Sequence, residues 1–352
     1  MKRLLLTVFL ACTGLFPLYS QYPQLANGER QRLAALANDQ LRCDTLNEWA
    51  FQRNGAASLP YAEAALALAG QTGYANGRAD AYVRLGQAAA HSGDNAGAEQ
   101  YYRRSMALRD SLHDTPGVAA CYNQLGLLRK RRGEYRKAID LYQQGLALLE
   151  GKPPHVTAAV LHNNAGTAYR YLGRYDLATA EFSACMAVYD RLRAVPGANR
   201  TEISVGMASL RLSIAVLLQE NSNQFSAAHD SLEKSLADFK LYQRPDYLAK
   251  CYLVLGNNAY YARNFPEAIR YYDQALGLKD HLSADDQGIV RKNQGRIYLD
   301  QRNFKKAETA FQVALDTFLR TKNQRELAST YYEIGNLHYE NNALPKAVDA
   351  YR

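Results

Sequence analysis

The sequence predicts an all-α chain built as a stack of antiparallel helix pairs. Three observations carry this reading. A Gly, an Ala twelve residues on and an aromatic residue four beyond that recur along the chain. Their period is close to forty residues, which marks a repeat architecture. Between the marker residues, apolar side chains fall three and four apart, as on one face of a helix.

The markers run in order from the N-terminal side. Gly86, Ala98 and Tyr102 form the first set, then Gly126, Ala138 and Tyr142, then Gly166, Ala178 and Phe182. A degenerate set follows at Ala215, Ala228 and Leu232, with an extra residue in its turn. The sets Gly256–Ala268–Tyr272, Gly295–Ala307–Phe311 and Gly335–Ala347–Tyr351 complete the series. The step from Gly166 to Ala215 is longer than the others, and AVPGANR (194–200) is read as the loop that supplies the excess.

Each element has a physical reason. The first helix carries Tyr82, Tyr122, Tyr252 and Tyr331 four residues before the Gly, and Leu85, Leu125, Leu255 and Ile334 just before it. Gly93, Gly133 and Gly173 fall where the first helix must stop, suiting a left-handed cap. Pro266 and Pro345 stand at the start of the second helix, where a proline costs no hydrogen bond. The Gly and the Ala lie where the two helices cross, so small residues let the backbones approach. The aromatic fills the gap to the next unit, and Ser105, Gly145, Cys185, Ala275 and Ala314 keep the position three beyond it small. RDSLHDTPG (109–117) and KDHLSADD (279–286) lengthen the second helix and its loop. An earlier, atypical unit is read from LNEWA (46–50) and LPYAEAALALA (59–69).

This grammar resembles the tetratricopeptide repeat, a helix–turn–helix unit of about 34 residues. The resemblance spans nearly all of the chain after its leader. It implies a right-handed α-solenoid over residues 21–352, with about eight helical hairpins and the last one truncated. In such arrays the first helices line a concave groove that takes extended peptides or helices. The groove positions here are Asn123, Gln124, Lys130, Asn163, Asn164, Arg170, Asn257, Lys292, Asn293, Arg296 and Asn336. Asn can donate to and accept from a peptide backbone of any sequence, and Lys and Arg favour carboxylates. The set does not reproduce the two-carboxylate clamp of chaperone-binding members.

The remaining composition narrows the function. MKRLLLTVFLACTGLFPLYSQ has a basic start, an apolar run and a small residue at Ser20, and reads as a secretory signal peptide over residues 1–20. A rival reading makes Cys12 of FLAC a lipidated residue. No later segment is read as membrane-spanning. The formal net charge is +8, part of it from Lys2 and Arg3 of the leader, and the rest is spread without a basic tract, so nucleic acid is not expected as a partner. Most of the 26 Tyr sit at core positions of the repeat. Cys43, Cys121, Cys185 and Cys251 show no CxxC and are read as small buried hydrophobes. There is no HExxH, no GxSxG and no phosphate-binding Gly-rich loop, so neither an enzyme nor a cofactor or metal is expected.

The expectation is an exported, periplasmic or cell-surface scaffold whose groove binds a protein or peptide. Signal peptide plus forty-residue repeats resembles the exported N-terminal regions of bacterial sensor histidine kinases and transcriptional regulators. A free-standing adaptor is the alternative. The second helix opened by Pro345 lacks the length of its predecessors, so the natural protein is expected to continue past Arg352.

Overall fold

The computed structural model describes residues 22–53, 55–222 and 224–352. The expected leader, with Cys12, lies outside the described residues. Seventeen α-helices make up the described chain, with no strand among the described residues. They are α1 (Asn27–Ala34), α2 (Asp39–Phe51), α3 (Leu59–Thr72), α4 (Ala75–Ser92), α5 (Asn95–Ser111), α6 (Thr115–Arg131), α7 (Tyr135–Leu149) and α8 (Val156–Tyr171). Then come α9 (Tyr175–Arg193), α10 (Arg200–Ser222), α11 (Phe225–Leu241), α12 (Pro245–Tyr261) and α13 (Phe265–Gly277). The series closes with α14 (Ala284–Asp300), α15 (Phe304–Thr321), α16 (Gln324–Glu340) and α17 (Leu344–Tyr351). The chain divides between Ala168 and Tyr169 into two compact units.

In the N-terminal unit the helix pairs are α2/α3, α4/α5 and α6/α7. The short helix α1 was not expected from the sequence. It joins a core of Tyr22, Leu25 and Leu33 with Cys43, Leu46 and Ala65, covering the apolar side of the atypical first pair. The repeat markers pack as a knob in a hole. A methyl group on Gly86 would lie 2.5 Å from the ring of Tyr102, and one on Gly126 would lie 2.3 Å from Tyr142. Each aromatic therefore covers the Gly of its own repeat. Tyr102 also packs against Leu125 and Leu128 of the next first helix, filling the gap between units.

The C-terminal unit repeats this frame in α12/α13, α14/α15 and α16/α17, and varies it in α10/α11. Gly256 meets Tyr272, Gly295 meets Phe311 and Gly335 meets Tyr351, each at 2.5 Å or less from an added methyl. The long step to Ala215 is shared between the loop after α9 and α10 itself, which runs 23 residues against 17 in α12. Helix α10 corrects one expectation: the segment Arg200–Asn221 is long and apolar enough to cross a membrane by length and composition. Its Leu212 and Val216 both pack on the core around Leu232 and Phe239.

The turns obey one geometry with different residues. Gly93, Gly133 and Gly173 have φ of 88°, 73° and 71°, the left-handed region that favours glycine. The same position in later repeats holds Arg263, Arg302 and Asn342, at φ 62°, 57° and 57°. Pro266 and Pro345 sit in the first turn of α13 and α17. The four described cysteines are buried, and none of them forms a disulfide.

Candidate functional site

The expected groove residues lie on α6 and α8 in the N-terminal unit, and on α12, α14 and α16 in the C-terminal unit, with Arg170 at the end of α8. The structure gives most of them a partner within the protein, and five are bonded to one another. In the N-terminal unit, Asn164 donates to the Oδ1 of buried Asn123 at 2.8 Å, and Lys130 donates to Asn164 at 3.4 Å. Asn163 is different. No neighbouring group bonds its side-chain amide, and its Oδ1 is shielded from solvent without a donor. Gln124 lies beside a cleft described below.

In the C-terminal unit, Asn257 accepts from Asn293 at 2.8 Å and from the hydroxyl of Tyr272 at 2.8 Å. Asn336 accepts from the hydroxyl of Tyr351 at 2.7 Å. This explains why Asn recurs just after the Gly of a repeat. An aromatic knob that is Tyr carries a hydroxyl into the core, and burial of such a group costs free energy unless it is bonded. Where Leu127 takes that position, the hydroxyl of Tyr142 has no partner. Burial pushes the Tyr272 phenol well above its ordinary range, so it stays a donor.

The cations of the C-terminal unit face carboxylates. Lys292 meets Glu326 at 2.7 Å and the hydroxyl of Ser329 at 2.9 Å. Arg296 meets Glu333 at 3.3 Å and lies over the Tyr260 ring. Arg170 meets Glu220 at 2.5 Å. Burial pulls Arg296 down, but its neighbours Tyr260, Glu333 and Tyr261 together outweigh it and leave the guanidinium above its ordinary value.

A cleft of about 280 Å³ opens in the N-terminal unit across α2, α4 and α6. Phe51, Arg84, Gln87, His91, Gln124 and Arg131 are among its walls. Of these only Gln124 was singled out in the sequence. Arg84 and Gln87 stand two before and one after Gly86, the same register as the other groove positions, so the repeat frame contained the signal. Among the described residues no cluster of His, Cys, Asp or Glu could hold a metal ion.

Models of the tetratricopeptide repeat match residues 77–151, 253–323 and 292–352. No curated protein matches the chain. Among solved structures, a Rap protein complexed with Competence and Sporulation Factor is 13% identical over 89% of this chain and 96% of its own, with a TM-score of 0.59. Aspartyl phosphate phosphatase F from Bacillus subtilis is 12% identical over 92% of this chain and 85% of its own, with a TM-score of 0.58. A signal-transduction ATPase with a tetratricopeptide repeat sensor, from Pyrococcus horikoshii, is 14% identical over 90% of this chain and 46% of its own, with a TM-score of 0.56. At these identities the likeness is one of fold.

Proposed function

From the premise that the chain belongs to the tetratricopeptide repeat family, we propose that it is an exported scaffold that binds a protein or peptide along its first helices. Binding without catalysis is the activity such a site supports. The observation that carries the reading is Asn163. Its amide sits on the first-helix face with a shielded Oδ1 and no partner, and an unmet buried acceptor costs about 1–3 kcal/mol. A rotation of the half-buried side chain would present that oxygen to a backbone N–H of an extended ligand and relieve the cost. The bonded amides of Asn123 and Asn164 in the N-terminal unit, and of Asn257 and Asn293 in the C-terminal unit, hold neighbouring helices in register. Lys130, Arg170, Lys292, Arg296 and Asn336 have the same supporting role, through the bonds described above.

The sensing region of a longer bacterial signalling protein, of histidine-kinase type, is the setting we favour over a free-standing adaptor. The support is the leader sequence together with the fold shared with a repeat sensor on a signal-transduction ATPase.

The test is a random dodecapeptide library panned on the chain, followed by titration of a selected peptide. Asn163→Ala should weaken binding by about 0.5–1.5 kcal/mol and leave helicity unchanged. Selected peptides that ignore both Asn163→Ala and Gln124→Ala would place the binding surface elsewhere. Intact mass of the exported protein checks the leader, with Gln21 expected as the first residue.

A further inference from the structure

The cleft across α2, α4 and α6 holds cations that the fold itself leaves without carboxylate partners. Arg84 is half-buried, and its planar head lies over the Phe51 ring, 4.6 Å from the centroid. One terminal nitrogen donates to Gln87 at 3.1 Å. Its Nε is shielded from water and has no acceptor. Arg131 reaches into the same cleft from the exposed end of α6, and its bond is to the Ala90 carbonyl at 3.3 Å.

The acidic groups near this site are engaged elsewhere. Asp80 takes its hydrogen bond from Arg109, and Glu48 accepts from Gln52 at 3.0 Å. The third arginine of the wall, Arg53, is paired with Glu29 at 2.8 Å and lies over Tyr61. A guanidinium has five donors in a fixed fork. A buried fork that meets one amide oxygen has capacity for a planar, two-oxygen acceptor. Burial also pulls Arg84 below its ordinary range, a cost that an incoming anion would relieve.

We propose that this cleft binds one carboxylate, that of a Glu or Asp side chain on the segment lying along the first helices. Arg84 and Arg131 grip the carboxylate, while Gln87 and Gln124 border it and Phe51 holds Arg84 flat from beneath. The volume, about 280 Å³, lies at the small end for ligand sites and suits one side chain. The proposal rests on the first-helix face being the binding face, and it adds the chemical class of the residue recognised there.

The experiment uses the full chain with ¹⁵N-labelled arginine. The Arg84 Nε–H resonance is assigned by its absence in Arg84→Gln and followed during titration with N-acetylglutamate blocked as its α-amide. A saturable shift is expected, absent with N-acetylglutamine blocked in the same way. Arg131→Gln, at an exposed position that leaves the fold intact, should weaken the response about tenfold. No shift, an equal shift with the blocked glutamine, or an unchanged response in Arg131→Gln overturns the proposal. Tighter saturation by inorganic phosphate than by the blocked glutamate also overturns it, since the site would then be a phosphate site. The outcome is separable from the groove reading. Peptides that depend on Asn163 while the cleft ignores carboxylate keep the groove and lose this site, and the reverse pattern does the opposite.

Discussion

The first helices of both units carry cations within a few residues of the repeat Gly but use them differently. In the C-terminal unit Lys292, Arg296 and Arg170 each face a Glu of the following first helix. In the N-terminal unit Arg84 and Arg131 meet only an amide and a carbonyl oxygen. A first-helix cation is therefore structural or available according to what the next helix sets opposite it. The turns differ in parallel. The N-terminal unit uses Gly93 and Gly133 for the left-handed residue, and the C-terminal unit also uses Arg263, Arg302 and Asn342. The C-terminal unit thus pairs these first-helix cations across repeats and puts side-chain-bearing residues into three of its helix-pair turns. The N-terminal unit pairs Arg109 and Arg129 and turns left-handed at His113, but leaves Arg84 and Arg131 without a carboxylate.

The largest expected effect breaks the comparison at Lys292. Its side chain is 10% exposed and that of Glu326 is 18% exposed, so removing one partner strands a largely buried charge. Lys292→Met should cost about 2–3 kcal/mol, and adding Glu326→Met should recover most of it. Arg131→Gln should stay within about 0.5 kcal/mol. Urea unfolding followed by helicity measures all three. Equal losses for Lys292→Met and Arg131→Gln would mean that the two faces do not differ.

A middle-sized effect sharpens the comparison at the turns. Left-handed backbone costs a side-chain-bearing residue about 1–2 kcal/mol. Gly133→Ala should destabilise by about 1 kcal/mol, and Arg302→Gly should stabilise by somewhat less, because glycine also gains freedom when unfolded. Midpoints of thermal unfolding report both, and the two variants must shift in opposite directions.

The smallest effect is one the units should share. Burial pushes the thiols of Cys43, in the N-terminal unit, and Cys251, in the C-terminal unit, up to about 12 from an ordinary 9.0. A thiol with a raised folded value contributes fully below about pH 9. That contribution falls between pH 9 and 12, where the unfolded thiol ionises and the folded one does not. Stability should fall over that window and be flat below it. At pH 8 neither thiol should react with iodoacetamide until the protein is unfolded. Alkylation of one thiol but not the other in the native state would show that the two cores are unequal.

Much of the fold was legible because the repeat restates its constraints seven times. Gly with its aromatic partner, the left-handed stops at Gly93 and Gly133, and the early-helix Pro266 and Pro345 are each local demands on one residue type. Helix α1 escaped because NGERQRLA has almost no apolar stripe, and what it buries is Leu33 with Tyr22 and Leu25 before it. The membrane-length character of α10 escaped because Arg211 and Glu220 interrupt its sequence, although the 22-residue segment that contains them is apolar on average. The recurrent Asn residues could be seen, but their bonds to Tyr272 and Tyr351 could not.

The sequence by itself determined the helical period, the pairing of helices and the positions of the crossing points. These follow from spacing along one chain, where a residue's neighbours three and four away are set by helix geometry. Tertiary structure alone decided that Lys292 would meet Glu326, 34 residues on, while Arg84 would meet no carboxylate. Repeat register brings whole helices together but leaves each long side chain several possible partners. The partner is selected by distances of an ångström or two across the packed interface, below the resolution of any sequence period.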